Sequence, residues 1–143
     1  MSARERLSDL DARAATAAAL AREGDPAVLP DLLAAYDEPI ETGGEALLAA
    51  MDELGGGAEG RRLATSPDPA QRRVAARLMS LLPDKEHLPA LLPLLTDPDP
   101  AVADAARRAL RHQWRTPEWH VAVERLAASP DPELREVGES LLA

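Results

Sequence analysis

The sequence contains no cysteine and no phenylalanine, one tyrosine (Tyr36) and two tryptophans (Trp114 and Trp119). Without cysteine there is no disulfide, no thiolate nucleophile and no cysteine-ligated metal. Aromatic and β-branched residues, which strands favour, are scarce, while Ala and Leu are abundant, so an all-helical chain is expected. Catalytic signatures are missing as well. No Ser stands in a G-x-S-x-G context. Gly55-Gly56-Gly57 is not followed by the Gly-Lys-Ser/Thr of a phosphate loop, Gly60 precedes Arg61, and HExxH is absent. No apolar run reaches the length needed to span a bilayer. The N-terminus lacks the signal-peptide pattern, because Asp9 and Asp11 precede a short Ala-rich run flanked by Arg13 and Arg22. A soluble cytoplasmic protein is expected.

One third of the chain lacks positive charge. Residues 23–60 hold ten acidic residues and no Lys, Arg or His, against a net charge of −9 for the whole chain. Such a segment serves either as a solvated face or as a docking surface for a basic partner. Net acidity argues against nucleic acid, whose phosphates need a basic stripe.

What is present is a period. Ser66-Pro67-Asp68-Pro69, Asp97-Pro98-Asp99-Pro100 and Ser129-Pro130-Asp131-Pro132 follow each other at steps of 31 and 32 residues. A fixed step of that size marks a solenoid of stacked units. Asp68, Asp99 and Asp131 are each placed to cap a helix with Pro at its first position, where the missing N–H costs nothing. After each cap, Gln71/Val102/Leu134, Val74/Ala105/Val137, Ala75/Ala106/Gly138 and Met79/Leu110/Leu142 fall on one helical face. The small residue in that series admits a close neighbour. Between these A helices lie B helices: residues 25–33 match 84–92 at an offset of 59, and Glu118–Ala128 is a weaker copy.

The pattern predicts nine helices, over roughly 3–22, 26–36, 40–54, 58–65, 68–82, 85–95, 99–113, 117–128 and 131–142. Pro93 should bend the sixth or delay its start. Gly55-Gly56-Gly57 reads as a helix stop and turn. The unit from Ile40 to Leu54 is degenerate, with Glu38-Pro39 in place of Asp-Pro and Gly43-Gly44 weakening its first turn. The chain reads as a single domain over 1–143, made of a polar capping helix (1–22), acidic degenerate repeats (23–60) and regular repeats (61–143). Leu141 and Leu142, in the last helix, are expected to be partly exposed or covered by a partner subunit.

The stretch from Leu94 to Leu110, with Asp97-Pro98-Asp99-Pro100-Ala101-Val102 and Ala105-Ala106-Arg107-Arg108-Ala109, resembles a HEAT repeat of the kind shared with bilin lyases. Leu63–Pro83 and Leu126–Ala143 are similar, and the N-terminal 60 residues are so only loosely. The resemblance implies a right-handed α-solenoid of about four and a half helical hairpins, A helices outside and B helices lining the concave side. It also implies protein partners bound there. Such repeats usually carry an Arg before the small-residue pair. Arg72 and Arg135 hold that position and Ala103 does not, so an Asp–Arg ladder between repeats should break at the middle copy.

Each candidate site has a bland alternative. His120 and Glu124, one turn apart, could share a metal, and Glu86-His87 offers a second pair. The HEAT-type deoxyhypusine hydroxylases bind iron through repeated His-Glu pairs, but here the first pair is reversed and only three His exist, so no metal or cofactor is expected. Carboxylate pairs such as Asp37/Glu38 and Asp52/Glu53 flank helix ends, where the macrodipole explains acidic residues, and no desolvated acid–base site is implied. The Arg clusters at 61–62, 72–77 and 107–115, with the two Trp, invite comparison with HEAT-like DNA glycosylases, against which the overall acidity counts. Trp114, four residues after Leu110, reads as a packing residue. Trp119, in the row of His87, reads as either a helix-end packing residue or a groove anchor.

The reading is therefore a non-catalytic interaction module or adaptor. It binds a protein of basic character through Asp31, Asp37, Glu38, Glu41 and Glu45, with His87, Trp119 and His120 as groove contacts, and is a monomer or self-associates weakly. The alternatives are a bilin lyase-like or metal-dependent HEAT enzyme and a DNA-lesion binder.

Overall fold

The computed structural model describes residues 2–38 and 43–143. Among the described residues every regular element is helical: α1 (Ala3–Leu7), α2 (Arg13–Glu23), α3 (Leu29–Tyr36), α4 (Gly44–Glu53), α5 (Gly56–Leu63), α6 (Pro69–Leu81), α7 (Leu88–Leu91), α8 (Pro100–His112), α9 (Pro117–Ala127) and α10 (Pro132–Leu142). In chain order α2/α3, α4/α5, α6/α7 and α8/α9 make up successive two-helix units, and α10 begins a further one. α2 lies against α4 and α6 against α8, while α3, α5 and α9 each touch the first helix of the next unit. This is an α-solenoid of helical hairpins.

The Asp-Pro punctuation does what its chemistry dictates. The side chains of Asp68, Asp99 and Asp131 accept from the backbone N–H groups of Ala70, Ala101 and Glu133, and Pro69, Pro100 and Pro132 begin the helices. Asp9 makes the same bond to the N–H of Asp11, which ends the expected first helix early. Residues 3–22 are two helices, split by Ser8 and a 3₁₀ turn at Leu10–Ala12.

That split exposes a repeat hidden in the sequence. Arg72 donates to the Ser66 carbonyl, six residues back, and to both carboxylate oxygens of Asp97, 25 residues on. Arg13 donates to the Leu7 carbonyl and to Glu38 at the same offsets, 6 and 25. The first unit is thus in phase with the third, 59 residues later, and Glu38 is the counterpart of Asp97. Arg135 retains the backward bond, to the Ser129 carbonyl at 3.4 Å. At the middle copy Ala103 is buried, and Ser129 stands where Asp97 stands one repeat earlier, so both members of that rung are gone. Arg107 crosses this joint instead, 3.6 Å from Glu133.

Two apolar clusters fill the interior. One gathers Leu7, Leu20, Leu29, Leu32, Leu47 and Met51, the other Leu91, Leu95, Val102, Leu110, Trp119 and Val123. α6 belongs to both, giving Leu78 to the first and Ala75, Ala76 and Met79 to the second. The glycines of α5 allow its approach to α6. A Cβ on Gly60 would lie 3.2 Å from the Ala75 carbonyl oxygen and 3.1 Å from Met79 Cγ. The helix starts at Gly56, two residues before the position expected, and only Gly55, at φ +73°, makes the left-handed turn.

The sixth expected helix is broken into a 3₁₀ turn at Lys85–His87, the single α-turn of α7, and a 3₁₀ segment at Leu92–Thr96. Pro93 has no N–H for the Pro89 carbonyl, so the α-ladder stops there. The start of the third expected helix, at Ile40, lies outside the described residues.

Candidate functional site

Trp114, expected to pack, is exposed, and Trp119, open between packing and a groove contact, packs. Trp114 is 57% exposed and Trp119 only 2%. The cause is the end of α8 at His112. Gln113 leaves the helix with extended backbone, and its buried amide donates to the carbonyls of Met79 and Ala109 at 3.0 and 2.9 Å. Continuing the helical period to Trp114 therefore fails, and the ring points outward. Trp119 sits in the first turn of α9, where the Thr116 hydroxyl caps its N–H, and its indole Nε1 donates to the Leu110 carbonyl at 3.0 Å. The Arg115 guanidinium covers the ring face at 3.9 Å.

His87 occupies the same row one unit earlier and behaves alike. Its ring is fully buried and its Nε2–H donates to the Leu82 carbonyl at 2.7 Å. Nδ1 accepts from Arg61 at 3.0 Å, so the ring is the neutral Nε2–H tautomer. Burial pushes the His87 pKa below its ordinary value, the Leu82 hydrogen bond opposes this, and the Arg61 charge adds to it. In both units the row of Trp119 and His87 ties off carbonyls at the end of the preceding A helix. Neither side chain is free for a groove contact. His120 is exposed, its ring edge-on to Trp119 with centroids 5.1 Å apart. Among the described residues no group of three or more His, Cys, Asp or Glu could hold a metal ion.

The acidic segment divides into spent and unspent charge. Asp37 is held by Arg77 and Glu38 by Arg13, whose side chain is buried. Glu23 pairs with Arg6 and Glu59 with Arg62. The Arg62 hydrogen bonds hold the Glu59 carboxyl below the usual range, against its partial burial. Glu41 lies outside the described residues. Asp31, Glu45, Asp52 and Glu53 make no ion pair among the described residues. Asp31 and Glu45 stand in first turns, of α3 and α4, where the macrodipole favours them. Asp52 and Glu53 stand in the last turn of α4, at its negative end, with no basic residue in that turn.

Two concave surfaces adjoin this charge. A cleft of about 570 Å³ opens between α4, α5 and the end of α6, lined by Leu48, Asp52, Ala58, Arg61, Pro83 and Asp84. Arg61 is held there by His87 and, at 3.4 Å, by Glu86. A second, more apolar groove of about 410 Å³ runs between the segments around Pro26–Pro30 and Glu59–Leu63 and the start of α6. The reading of helix-end acids as macrodipole partners does not hold for Asp52 and Glu53, which stand at the C-terminal end of α4. The helix expected over 40–54 already put them at that end.

Stacked helical hairpins with capped, in-phase A helices define a helical-repeat protein. The family model for HEAT repeats matches residues 61–143. The chain belongs to the HEAT-repeat family, and it matches no curated protein. HEAT repeats are in general protein-interaction scaffolds. No helix among the described residues is long and apolar enough to cross a membrane.

Proposed function

We propose that this chain is a non-catalytic protein-binding module whose partner presents a basic segment to the cleft between α4, α5 and α6. The observation that carries this reading is the placement of Asp52 and Glu53. Acidic residues at a helix C-terminus oppose the macrodipole, at about 0.3–1 kcal/mol each. They are exposed and lack an ion partner among the described residues, so no internal contact offsets that cost. A Lys or Arg from a partner would offset it; Asp52 lines the cleft together with Asp84, and Glu53 follows Asp52 in the same helical turn.

Asp31 and Glu45 extend the negative field along α3 and α4 and would speed the encounter more than hold the complex. Asp37 and Glu38 leave the binding set, because their charge is already neutralised by Arg77 and Arg13. Affinity capture from the source cell extract at low and high salt, read by mass spectrometry, tests the reading. A basic protein retained by the native chain and lost from Asp52→Asn/Glu53→Gln supports it. Equal retention by both chains sinks it.

A further inference from the structure

Trp114 is the most exposed large apolar side chain among the described residues, and its neighbours share one chemistry. Arg108, Arg111 and Arg115 are exposed. Arg108 and Arg111 recur at helical spacing along the last turns of α8, and neither makes an ion pair among the described residues. Arg115 follows Trp114 and lies over the Trp119 ring. The stretch from the end of α8 to α9 therefore carries an exposed indole with three exposed guanidinium groups close to it in sequence and one carboxylate, Glu118, beyond.

The same chain carries a surface of opposite character. The groove of about 410 Å³ is walled by Pro26, Ala27, Pro30, Leu63, Ala70 and Val74. Asp25 and Asp31 flank the Pro26–Pro30 wall in sequence, and neither is ion-paired among the described residues. The one guanidinium in its lining, Arg62, is held by Glu59. An apolar slot with an acidic margin and an exposed indole with a basic margin are complementary in both hydrophobicity and charge.

We infer that the occupant of this groove is a second copy of the chain, with Trp114 inserted between Pro26–Pro30 and Leu63–Val74 and Arg111 and Arg115 facing Asp25 and Asp31. The contact is heterologous, one surface meeting a different one, so it propagates head to tail unless the rotation closes a ring. It is separate from the α4–α5–α6 cleft and does not depend on the partner proposed there.

Sedimentation velocity of the purified chain, from micromolar to near-millimolar concentration and at two salt concentrations, reads the contact directly. The expected result is a sedimentation coefficient that rises with concentration and less steeply in high salt. Trp114→Ala on one side and Asp31→Lys on the other should each weaken self-association by more than about tenfold. Each variant keeps the surface the other lacks, so an equimolar mixture should form a one-to-one dimer that grows no further. Circular dichroism confirms that both variants fold. A chain that stays monomeric throughout overturns the inference, as does self-association unchanged by both substitutions. An anionic macromolecule that binds the Trp114 turn while the pure chain stays monomeric would reassign that turn and likewise overturn it.

Discussion

At the scale of single residues, burial decides which of the chain's few aromatic and titratable groups hold the fold. Trp119 fills the second core and ties off the Leu110 carbonyl, whereas Trp114 touches neither core cluster. Trp119→Ala should cost about 3–5 kcal/mol, and Trp114→Ala should stay within about 0.5 kcal/mol, as measured by urea unfolding of dilute protein. The Arg72–Asp97 pair is nearly enclosed, with 15% and 6% of the side chains exposed. Arg72→Met leaves the Asp97 carboxylate with the Asp99 N–H but without its cation, and should lower stability in the same urea measurement. Acid unfolding should proceed in two stages. His87 is buried neutral with a lowered pKa, so the unfolded chain binds its proton first, and this stability is present above about pH 6.5 and drains below it. The Arg72 hydrogen bonds hold the Asp97 carboxyl below the ordinary range against burial, so its contribution is complete above about pH 4 and is lost as pH falls further. Stability measured against pH should lose the upper stage in His87→Gln, and in Arg72→Met the lower stage should shrink to the part that Glu59, held by Arg62, still supplies. An unchanged upper stage in His87→Gln, or an unchanged lower stage in Arg72→Met, would contradict the assignment.

At the scale of elements, the A helices were legible and the B helices much less so. Asp-Pro both caps and starts a helix by local chemistry, so α6, α8 and α10 begin where those residues stand. Pro89 and Pro93 also act locally, and the break at Leu92 follows from Pro93 lacking a donor. The close approach of α5 to α6 was not legible, because the sequence does not distinguish a glycine needed for a turn from one needed for contact. Gly55 is the former and Gly60 the latter. The exposure of Trp114 was hidden for a related reason: helical periodicity assigns a face only while the helix lasts. The position shared by Ala75, Ala106 and Gly138 was legible as a small-residue site, and contact with the neighbouring helix sets its strictness. On Gly138 a Cβ would fall 2.2 Å from the Ala127 backbone nitrogen. Gly138→Ala, which in an exposed helix gains about 1 kcal/mol, should instead cost about 2 kcal/mol net by forcing α10 off α9. Faster hydrogen exchange across α10 would report the same displacement.

At the scale of the whole molecule, the repeat gives a continuous stack while the charge divides it. The rungs Arg13–Glu38 and Arg72–Asp97 staple the first and third units to their successors, and the missing rung at Ala103 leaves the joint to Arg107 and Glu133. Because α6 serves both core clusters, the two halves should unfold together. The excess negative charge collects where basic residues are missing, and much of it is spent inside the fold. Subtracting the paired residues leaves a short list, in which Asp52 and Glu53 stand at the negative end of a helix without an ion pair among the described residues. The measurement that bears most directly on this account is the affinity of the captured partner for the native chain and for Asp52→Asn/Glu53→Gln, each followed against salt concentration. The account predicts affinity at least about tenfold weaker for the variant, roughly 1.4 kcal/mol, and a shallower salt dependence, with folding intact. Equal affinity and an equal salt slope for the two chains would contradict it.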